Sequence, residues 1–189
     1  QIASQISSQL SIRDIVKPYL VELSNKCDES TCLAIEEDMM ALYIDSVEGP
    51  DSILRTTQRI GKSAPLHSTG VGKILLLNYS DEDLDRLIDQ KGLPQLTEHT
   101  ITTKEALLCE LDKTRKRGYA VDDEECEIGA RCIAAPIKDH TGRIIASISV
   151  SGPVSRMTVD KMNYIAKTIK CYSTEISREL GYAEQPLKT

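Results

Sequence analysis

Apolar residues recur at helical spacing near both ends of the chain. The N-terminal stripe consists of Ile12, Ile15, Val16, Tyr19, Leu20 and Leu23, and a C-terminal stripe of Met162, Ile165, Ile169, Ile176 and Leu180 lies within residues 158–180. The spacing predicts an amphipathic helix at each end. Pro18 interrupts the first stripe, which predicts a kink or a helix that restarts there. Ile2, Ile6 and Leu10 extend the helical spacing into a polar segment, which predicts the tail of a helix that begins upstream.

Between these helices, short apolar runs alternate with turn residues, which predicts strands joined in hairpins. The predicted strands cover residues 31–35, 41–47, 53–58, 119–122, 131–137 and 143–151. Residues 36–38 and 139–142 supply the turns of two hairpins. Because the helices flank groups of hairpin-linked strands, the pattern predicts an α+β fold with an antiparallel sheet.

Three further helices are predicted within the middle of the chain. One follows the glycines of residues 70–72 and runs to about residue 78. A second begins after Ser80, which caps an acidic first turn. A third begins at residues 102–105, where Thr102 and Glu105 have the spacing of a capping box, and it ends at Gly118. The basic residues before Gly118 are typical of a helix C-terminus, so they do not indicate a nucleic-acid site.

Composition narrows the class of protein. The chain has 189 residues, no Phe or Trp, and a net charge of -6, which argues against nucleic-acid binding by this chain itself. The six cysteines show no Cys-x-x-Cys spacing, so reduced thiols in a cytoplasmic protein are expected rather than a zinc site or disulfides. We see no signal peptide and no apolar run of membrane-spanning length in the sequence, and we expect no membrane partner.

The stretch from Pro65 to Lys73 combines hydroxyl residues with two glycines immediately before an apolar run. Ser68 or Thr69 can cap the helix, and the glycines allow a ligand to approach the backbone. The free amides of Gly70 and Val71 would then favour a carboxylate. The alternative is an ordinary capped helix that faces water. The glycine spacing does not match a Walker loop.

The strand at 143–151 has an unusual side-chain alternation. Ile144, Ala146, Ile148 and Val150 are predicted on one face, and Ile145, Ser147, Ser149 and Ser151 on the other. The serines would form a polar floor beside Cys132 and Ala134, although an exposed sheet face would show a similar pattern. An enzyme is a second hypothesis, with a nucleophilic site of Cys132, His67 and Asp122 or a metal bound near residues 122–127.

Three stretches together resemble the IclR family of bacterial transcriptional regulators. They are Pro65–Lys73, residues 118–136 with Gly-Tyr-Ala-Val-Asp-Asp-Glu-Glu and Gly-Ala-Arg-Cys-Ile-Ala-Ala-Pro, and residues 146–153 with Ala-Ser-Ile-Ser-Val-Ser-Gly-Pro. The resemblance covers about residues 14–181. It implies a GAF-like or profilin-like effector-binding domain, with a curved antiparallel sheet of about six strands flanked by helices. Residues 1–12 would then be the tail of an interdomain linker helix, residues 13–183 the domain, and residues 184–189 a C-terminal tail.

The resemblance also implies a function and a site. The winged helix-turn-helix that binds operator DNA in the family would lie upstream and is absent from this chain. The expected partners are therefore a small organic acid and other copies of the chain in a homodimer or tetramer. We expect no catalysis, cofactor or metal. The resemblance implies Gly70, Val71, Asp122, Cys132, Ser149 and Ser151 as effector-binding residues, with Ala64 and Ala130 as pocket walls. The motif itself adds the hydroxyls of Ser68 and Thr69 to the expected effector-binding residues.

Two features refine the expected ligand. Family members that take the smallest acids tend to carry bulky aliphatic residues at the positions of Ala64 and Ala130, so these small walls argue against a two-carbon acid. We expect the amides of Gly70 and Val71 to hold the carboxylate without a cation, since Lys73 lies a turn inside the helix and Arg131 points to the opposite face of its strand. Asp122 would accept a hydrogen bond, which favours a hydroxylated or hydrated-carbonyl monoacid over a diacid. A pure oligomerisation module is the third hypothesis.

Overall fold

The structure is a computed structural model that describes residues 2–49 and 60–183. The predicted strand at 53–58 and the tail at 184–189 lie outside these described residues. The strands run in chain order as β1 (Ser30–Glu37), β2 (Met40–Val47), β3 (Ser63–Pro65), β4 (Ala120–Asp123), β5 (Ala130–Lys138) and β6 (Ile144–Pro153). The helices are α1 (Ile2–Cys27), α2 (Gly70–Leu75), α3 (Asp81–Lys91), α4 (Lys104–Arg117) and α5 (Val159–Glu179). A single 3-10 turn, Leu76–Asn78, continues α2.

The six strands form one curled antiparallel sheet in the order β3-β2-β1-β6-β5-β4. The hairpins β1–β2 and β5–β6 supply four neighbouring strands, and β1 and β6 join the two hairpins at the centre. The predicted α+β fold with an antiparallel sheet of about six strands is therefore confirmed.

Each face of the sheet has its own hydrophobic core. Helices α1 and α5 cover one face, where the predicted stripes bury Val16, Leu20, Ile165 and Ile169 completely. Helices α2, α3 and α4 cover the other face, where small side chains such as Ala34, Ala64 and Ala134 predominate. The second face contains the predicted site residues, because the start of α2 packs against it.

The structure corrects two local predictions. Helix α1 does not restart at Pro18 but continues through it, since Val16 and Leu20 on either side are both fully buried against the sheet. The N-cap of α4 is Thr103, whose side chain accepts from the amide of Ala106, so the predicted capping box at residues 102–105 is wrong. The capping box occurs instead at the start of α3, where Ser80 and Asp83 bond each other reciprocally.

A bulge changes the face of the first residues of β6. Ile137 pairs with Ala146 and Lys138 pairs with Ile144, so Ile145 is an extra residue without a cross-strand partner. Ile144 therefore packs with the α2–α4 core and Ile145 against the α1–α5 core, opposite to the simple alternation that the sequence predicted. Beyond the bulge, the serines do lie on the predicted face.

A second bulge separates two polar residues of β2. Leu33 pairs with Asp45 and Ala34 pairs with Tyr43, so the residue between, Ile44, is unpaired. As a consequence Asp45 faces α1, where the Nζ atom of Lys17 lies 2.7 Å from its carboxylate. Tyr43 faces the α2 side, within the second core. Strand β2 thus contacts α1 on one face of the sheet and the α2 side on the other.

Candidate functional site

The register of the central strands brings the predicted polar residues into two adjacent rows. Asp122 pairs with Cys132, and Cys132 pairs with Ser151. In the next row, Ala134 pairs with Ser149, which pairs with Cys32 of β1. Because these residues alternate along their strands, all of these side chains share the face beneath α2. Cys32 was absent from the sequence prediction, since only the pairing of β1 with β6 brings it here.

The start of α2 lies directly on this floor. A Cβ atom at Gly70 would stand 3.1 Å from the Sγ atom of Cys132 and 3.2 Å from the Cβ atom of Ala134, so only glycine allows this approach without displacing a neighbour. Thr69 is the N-cap and accepts from the amide of Gly72 at 3.1 Å. The amides of Gly70 and Val71 come before any intrahelical acceptor is available to them. They are the donors that the motif predicted.

Helix α2 is too short for the helix dipole to be the main attraction for an anion. It has six residues before it tightens into the 3-10 turn. The sequence predicted that the helix dipole would help to attract a carboxylate. That attraction depends on the alignment of many peptide units. Any attraction for a carboxylate must therefore come from the individual N–H groups and the neighbouring hydroxyls.

Hydroxyls and thiols form the base of the site. The Cys32 Sγ and Ser149 Oγ atoms are 2.9 Å apart, and Ser149 and Ser151 both hydrogen-bond the Cys132 thiol. Burial is the main cause that raises the pKa of the Cys132 thiol to about 12. The pKa of the Cys32 thiol is raised as well, again chiefly by burial. Both cysteines are therefore neutral, weak hydrogen-bonding groups at physiological pH.

The serines are more enclosed than a simple sheet face would make them. Ser147 and Ser149 are completely buried, and Ser151 is nearly so. Ser147 donates to the backbone carbonyl of Ala135 at 3.1 Å, so its hydroxyl is already satisfied. The polar floor available to a ligand accordingly involves Ser149 and Ser151, and not the third serine.

Ser68 lies beside this floor with an unsatisfied hydroxyl. Its side chain is completely buried, and its oxygen has no hydrogen-bond partner of ordinary geometry among the described residues. The hydroxyl is close enough to the Cys126 thiol to lower that pKa, although burial dominates and raises the pKa of Cys126 to about 12. A buried hydroxyl without a good partner is uncommon in proteins, so this one indicates a position where a ligand or a water molecule accepts or donates a hydrogen bond.

Asp122 is buried at the edge of the same floor. Its Oδ1 atom accepts from the amides of Glu125 at 2.9 Å and Cys126 at 3.3 Å. Burial raises the pKa of this carboxyl to about 7, against the opposing effects of those amides and of the Lys73 ammonium. Asp122 therefore changes protonation near neutral pH and can either donate or accept in contact with a ligand.

Lys73 lies closer to the site than the sequence predicted. Its side chain is completely buried, and its Nζ atom contacts the Val121 carbonyl at 2.8 Å and the Glu125 carboxylate at 2.6 Å. The prediction placed it away from the open end of α2, but its long side chain reaches back across to the loop after β4. Its charge acts on both Asp122 and Cys132, lowering the pKa of each.

The loop after β4 is held in place around the site from several directions. Besides Lys73 and Asp122, the Thr97 hydroxyl donates to the Glu124 carbonyl at 2.7 Å and the Thr100 hydroxyl donates to the Glu125 carbonyl at 2.6 Å. The second carboxylate oxygen of Glu125 is buried without a partner among the described residues. This loop forms the edge of the site nearest Asp122 and Cys126.

Tyr43 is a site-facing residue that the sequence prediction missed. It is 2% exposed and packs in the second core with Cys32, Ala34 and Ala64. Burial raises its pKa well above the ordinary value, and Cys32, Cys132, Cys126 and Asp122 add to this effect. The groups that act on the pKa of the phenol are thus the ones that lie beneath the start of α2 or in the loop beside it.

The two predicted wall residues occupy different borders. Ala64 is buried in β3 opposite Ala41, within the same core as Tyr43. Ala130 is partly exposed at the beginning of β5, where its amide donates to the Glu127 carbonyl. Arg131 points to the other face as predicted, where it contacts Asp123 at 2.6 Å and the Met157 carbonyl at 3.0 Å.

The enzyme hypothesis gains no support from the geometry. His67 hydrogen-bonds the Pro94 carbonyl at 3.1 Å, and burial lowers its pKa. The acidic residues near 122–127 have separate partners: Asp123 pairs with Arg131, Glu124 accepts from the Gly129 amide, and Glu125 pairs with Lys73. Across residues 2–49 and 60–183, no three His, Cys, Asp or Glu side chains converge as a metal site would require. Within the same ranges, no helix has the length and apolar character needed to cross a membrane.

Comparison with known proteins identifies the family to which this fold belongs. Residues 4–178 match the family model described as the bacterial transcriptional regulator IclR C-terminal domain. The Escherichia coli regulator XynR is 33% identical over 94% of this chain and 70% of its own length. The Escherichia coli repressor IclR is 34% identical over 95% of this chain and 66% of its own length.

Solved structures agree with these sequence matches. The crystal structure of the Thermotoga maritima IclR superposes with a TM-score of 0.85 at 39% identity, covering 90% of this chain and 69% of that one. The C-terminal domain of the Escherichia coli regulator KdgR superposes with a TM-score of 0.80 at 31% identity, covering 90% and 99%.

The fold, the buried polar floor and these relatives define a ligand-binding domain of a bacterial transcriptional regulator. The chain belongs to the IclR family, and it corresponds to the C-terminal domain of those regulators.

Proposed function

We propose that this domain binds a small monocarboxylic acid at the start of α2. The carboxylate accepts from the amides of Gly70 and Val71 and from the hydroxyl of Ser68, with Thr69 fixing the turn. The observation that supports the proposal is the buried Ser68 hydroxyl, which has no hydrogen-bond partner of ordinary geometry among the described residues and lies beside the floor of Cys132, Ser149 and Ser151.

The ligand body extends from the carboxylate over Ser149 and Ser151 towards Asp122. A hydroxyl or hydrated carbonyl suits this position, because Asp122 and the serines can exchange hydrogen bonds with it. A second carboxylate is disfavoured, since an ionised Asp122 would repel it. The small side chains of Ala64 and Ala130 leave space for an acid longer than two carbons.

Binding regulates transcription through the arrangement of the whole oligomer. The relatives are named as transcriptional regulators. We therefore propose that a DNA-binding domain outside this chain responds when the acid binds, and that the parent protein acts in the cytoplasm. We propose that the parent protein is a homodimer or tetramer and that the acid favours one arrangement of paired DNA-binding domains. Strand β2 supports this route, because Tyr43 faces the site while Asp45, two residues later, binds Lys17 of α1.

The experiment is a titration of purified protein with monocarboxylic and dicarboxylic acids by isothermal calorimetry, together with mass spectrometry of any co-purified acid. Ser151→Ala should weaken binding of the best acid by roughly 0.5–1.5 kcal/mol, since it removes one hydrogen bond. Ser155→Ala is the matched control, because Ser155 is an exposed serine in the turn after β6.

Three results would contradict the proposal. The first is that no acid binds, and the second is that Ser151→Ala and Ser155→Ala bind equally well. The third is turnover of a bound acid, detected by chromatography of the recovered ligand, which would restore the enzyme hypothesis.

A further inference from the structure

Tyr43 is a nearly buried tyrosine on the face of the sheet that α2 covers. The residue is 2% exposed, and none of the described residues hydrogen-bonds the phenol oxygen. A ligand oxygen beside the phenol would give this hydroxyl a hydrogen-bond partner.

The position of Tyr43 directs its hydroxyl into the proposed site. Strands β2 and β5 are three strand spacings apart, roughly 14 Å. Across that interval, the side chains that share the face are small: Ala34 and Cys32 on β1 and Ser149 on β6. The aromatic ring can therefore extend over β1, and the groups that raise its pKa in addition to burial are Cys32, Cys132, Cys126 and Asp122. All four belong to the site or its bordering loop.

We infer that Tyr43 is a specificity-determining residue of this site, where its phenol donates a hydrogen bond to a second oxygen of the ligand, distant from the carboxylate. The inference rests on the proposed function, because it requires the carboxylate to be held at Gly70 and Val71. The two ends of the site then select a monocarboxylic acid with a distal hydroxyl or carbonyl oxygen over an unsubstituted acid of the same length.

The phenol is a donor under all physiological conditions. Its pKa is raised well above 10, chiefly by burial, so the group stays neutral and keeps its proton. Ser149 and Ser151 already exchange hydrogen bonds with the two cysteines. Tyr43 is consequently the uncommitted donor on the β2 side of the site, in the part of the chain that the structure describes.

The test compares ω-hydroxy acids of two to five carbons with the unsubstituted acids of equal length. Affinities are measured by isothermal calorimetry for the wild-type chain, Tyr43→Phe and the control Tyr164→Phe. Tyr164 is 50% exposed on α5, far from the site. Thermal denaturation of each variant without ligand establishes that it is folded.

In the wild-type chain and in Tyr164→Phe, the ω-hydroxyl should increase affinity most at one chain length. In Tyr43→Phe that advantage should fall by roughly 2- to 10-fold, which corresponds to one lost neutral hydrogen bond, while unsubstituted acids bind as before. Tyr43→Phe should remain folded without ligand, since the substitution keeps the aromatic ring that packs in the second core.

Different failures have different meanings. If acids bind but the ω-hydroxyl gives no advantage at any length, or gives the same advantage in Tyr43→Phe, the inference is wrong and the proposed function stands. If Tyr43→Phe weakens hydroxylated and unsubstituted acids equally, Tyr43 is only a packing wall and the inference is again wrong. If the wild-type chain binds no acid, the proposed function fails and the inference fails with it.

Discussion

At the scale of single residues, Asp122 connects the site to pH. Two backbone amides and the Lys73 ammonium favour its ionised form, while burial and the nearby Glu125 carboxylate oppose it. Burial prevails, so the folded pKa of about 7 lies above the ordinary 3.8. Between these two values the folded protein keeps a proton that the unfolded chain has lost. The stability contributed by this proton is therefore complete below about pH 4 and is lost as pH rises through about 7.

Asp122→Asn should remove this part of the pH dependence. The Asn oxygen can still accept from the amides of Glu125 and Cys126, while the ionisable group is gone. Relative to wild type, the variant should gain on the order of 2 kcal/mol in the free energy of unfolding between pH 5 and pH 8. Urea denaturation at a series of pH values measures this, with the exposed Asp89→Asn as control. Parallel pH profiles of Asp122→Asn and wild type would contradict the prediction.

The residues of the site differ in how far the sequence could reveal them. The chemistry of Ser149, Ser151 and Cys132 follows from alternation in a hairpin, because local pairing places them on one face. Tyr43 could not be assigned, since a one-residue bulge at Ile44 determines which face it occupies. Lys73 was misplaced because helical position locates its Cα atom, whereas its long side chain reaches the loop after β4.

At the scale of elements, close contact between α2 and β5 shapes the site. The spacing is set by Gly70, where an added Cβ atom would meet Cys132 and Ala134 at 3.1 and 3.2 Å. Gly70→Ala should therefore push the start of α2 away from the floor. We expect a loss of about 1–3 kcal/mol in stability, typical of overpacking a core, and weaker binding of any acid.

The matched control for Gly70→Ala is Ser63→Ala, at the exposed start of β3. Chemical denaturation and calorimetry of both variants separate the effects on stability and binding. Gly70 does not have a positive φ angle, so an alanine can adopt its backbone conformation. A loss of stability in Gly70→Ala would therefore come from the close contact and not from backbone strain. Wild-type stability and affinity in Gly70→Ala would show that the contact is not needed.

The ion pair between α2 and the loop after β4 is the second element-scale constraint. Lys73 is completely buried and the Glu125 side chain is 12% exposed, with 2.6 Å between Nζ and Oε1. Lys73→Met would leave the Glu125 carboxylate without its cation. We expect a loss of about 3–5 kcal/mol, since breaking a buried pair leaves an uncompensated charge.

Adding Glu125→Gln to Lys73→Met should recover a large part of that loss, because the double variant buries no unpaired charge. A double-mutant cycle in urea measures the coupling between the two residues. The pair Lys91 and Asp38 is a control, since the Asp38 side chain is 83% exposed and the Lys91 side chain 31% exposed, and the cycle there should give less than about 1 kcal/mol. If the effects of Lys73→Met and Glu125→Gln on the free energy of unfolding are additive, the two residues do not stabilise each other and the prediction is wrong.

The elements themselves were mostly predictable, because helices and hairpins depend on local periodicity and turn residues. The exceptions have identifiable causes. Strand β3 has three residues, Ser63–Pro65, too few to show alternation, and it forms by pairing with β2. Pro18 did not divide α1 because burial on both sides outweighs the lost backbone hydrogen bond. Tertiary contacts decided both cases, and a single sequence does not contain them in readable form.

At the scale of the whole molecule, charge and family give different indications about DNA. The relatives are named as transcriptional regulators, yet this chain has a net charge of -6, and it matches the family's C-terminal domain. Affinity for duplex DNA comes largely from neutralised phosphates, which an acidic chain does not provide. We therefore predict that this chain alone does not retard duplex DNA in an electrophoretic assay at physiological salt.

The same chain should nevertheless associate with itself. Our proposal requires paired domains, since a ligand can reposition DNA-binding domains only within an oligomer. Sedimentation equilibrium at micromolar concentrations should give the mass of a dimer or tetramer of a 20.9 kDa chain. The best acid from the titrations should shift the association constant or the sedimentation coefficient, because it binds the two arrangements differently. A monomer at high micromolar concentration, with and without that acid, would refute this route of control while leaving acid binding itself intact. Retardation of duplex DNA by this chain would refute the proposal that DNA binding belongs to a different domain.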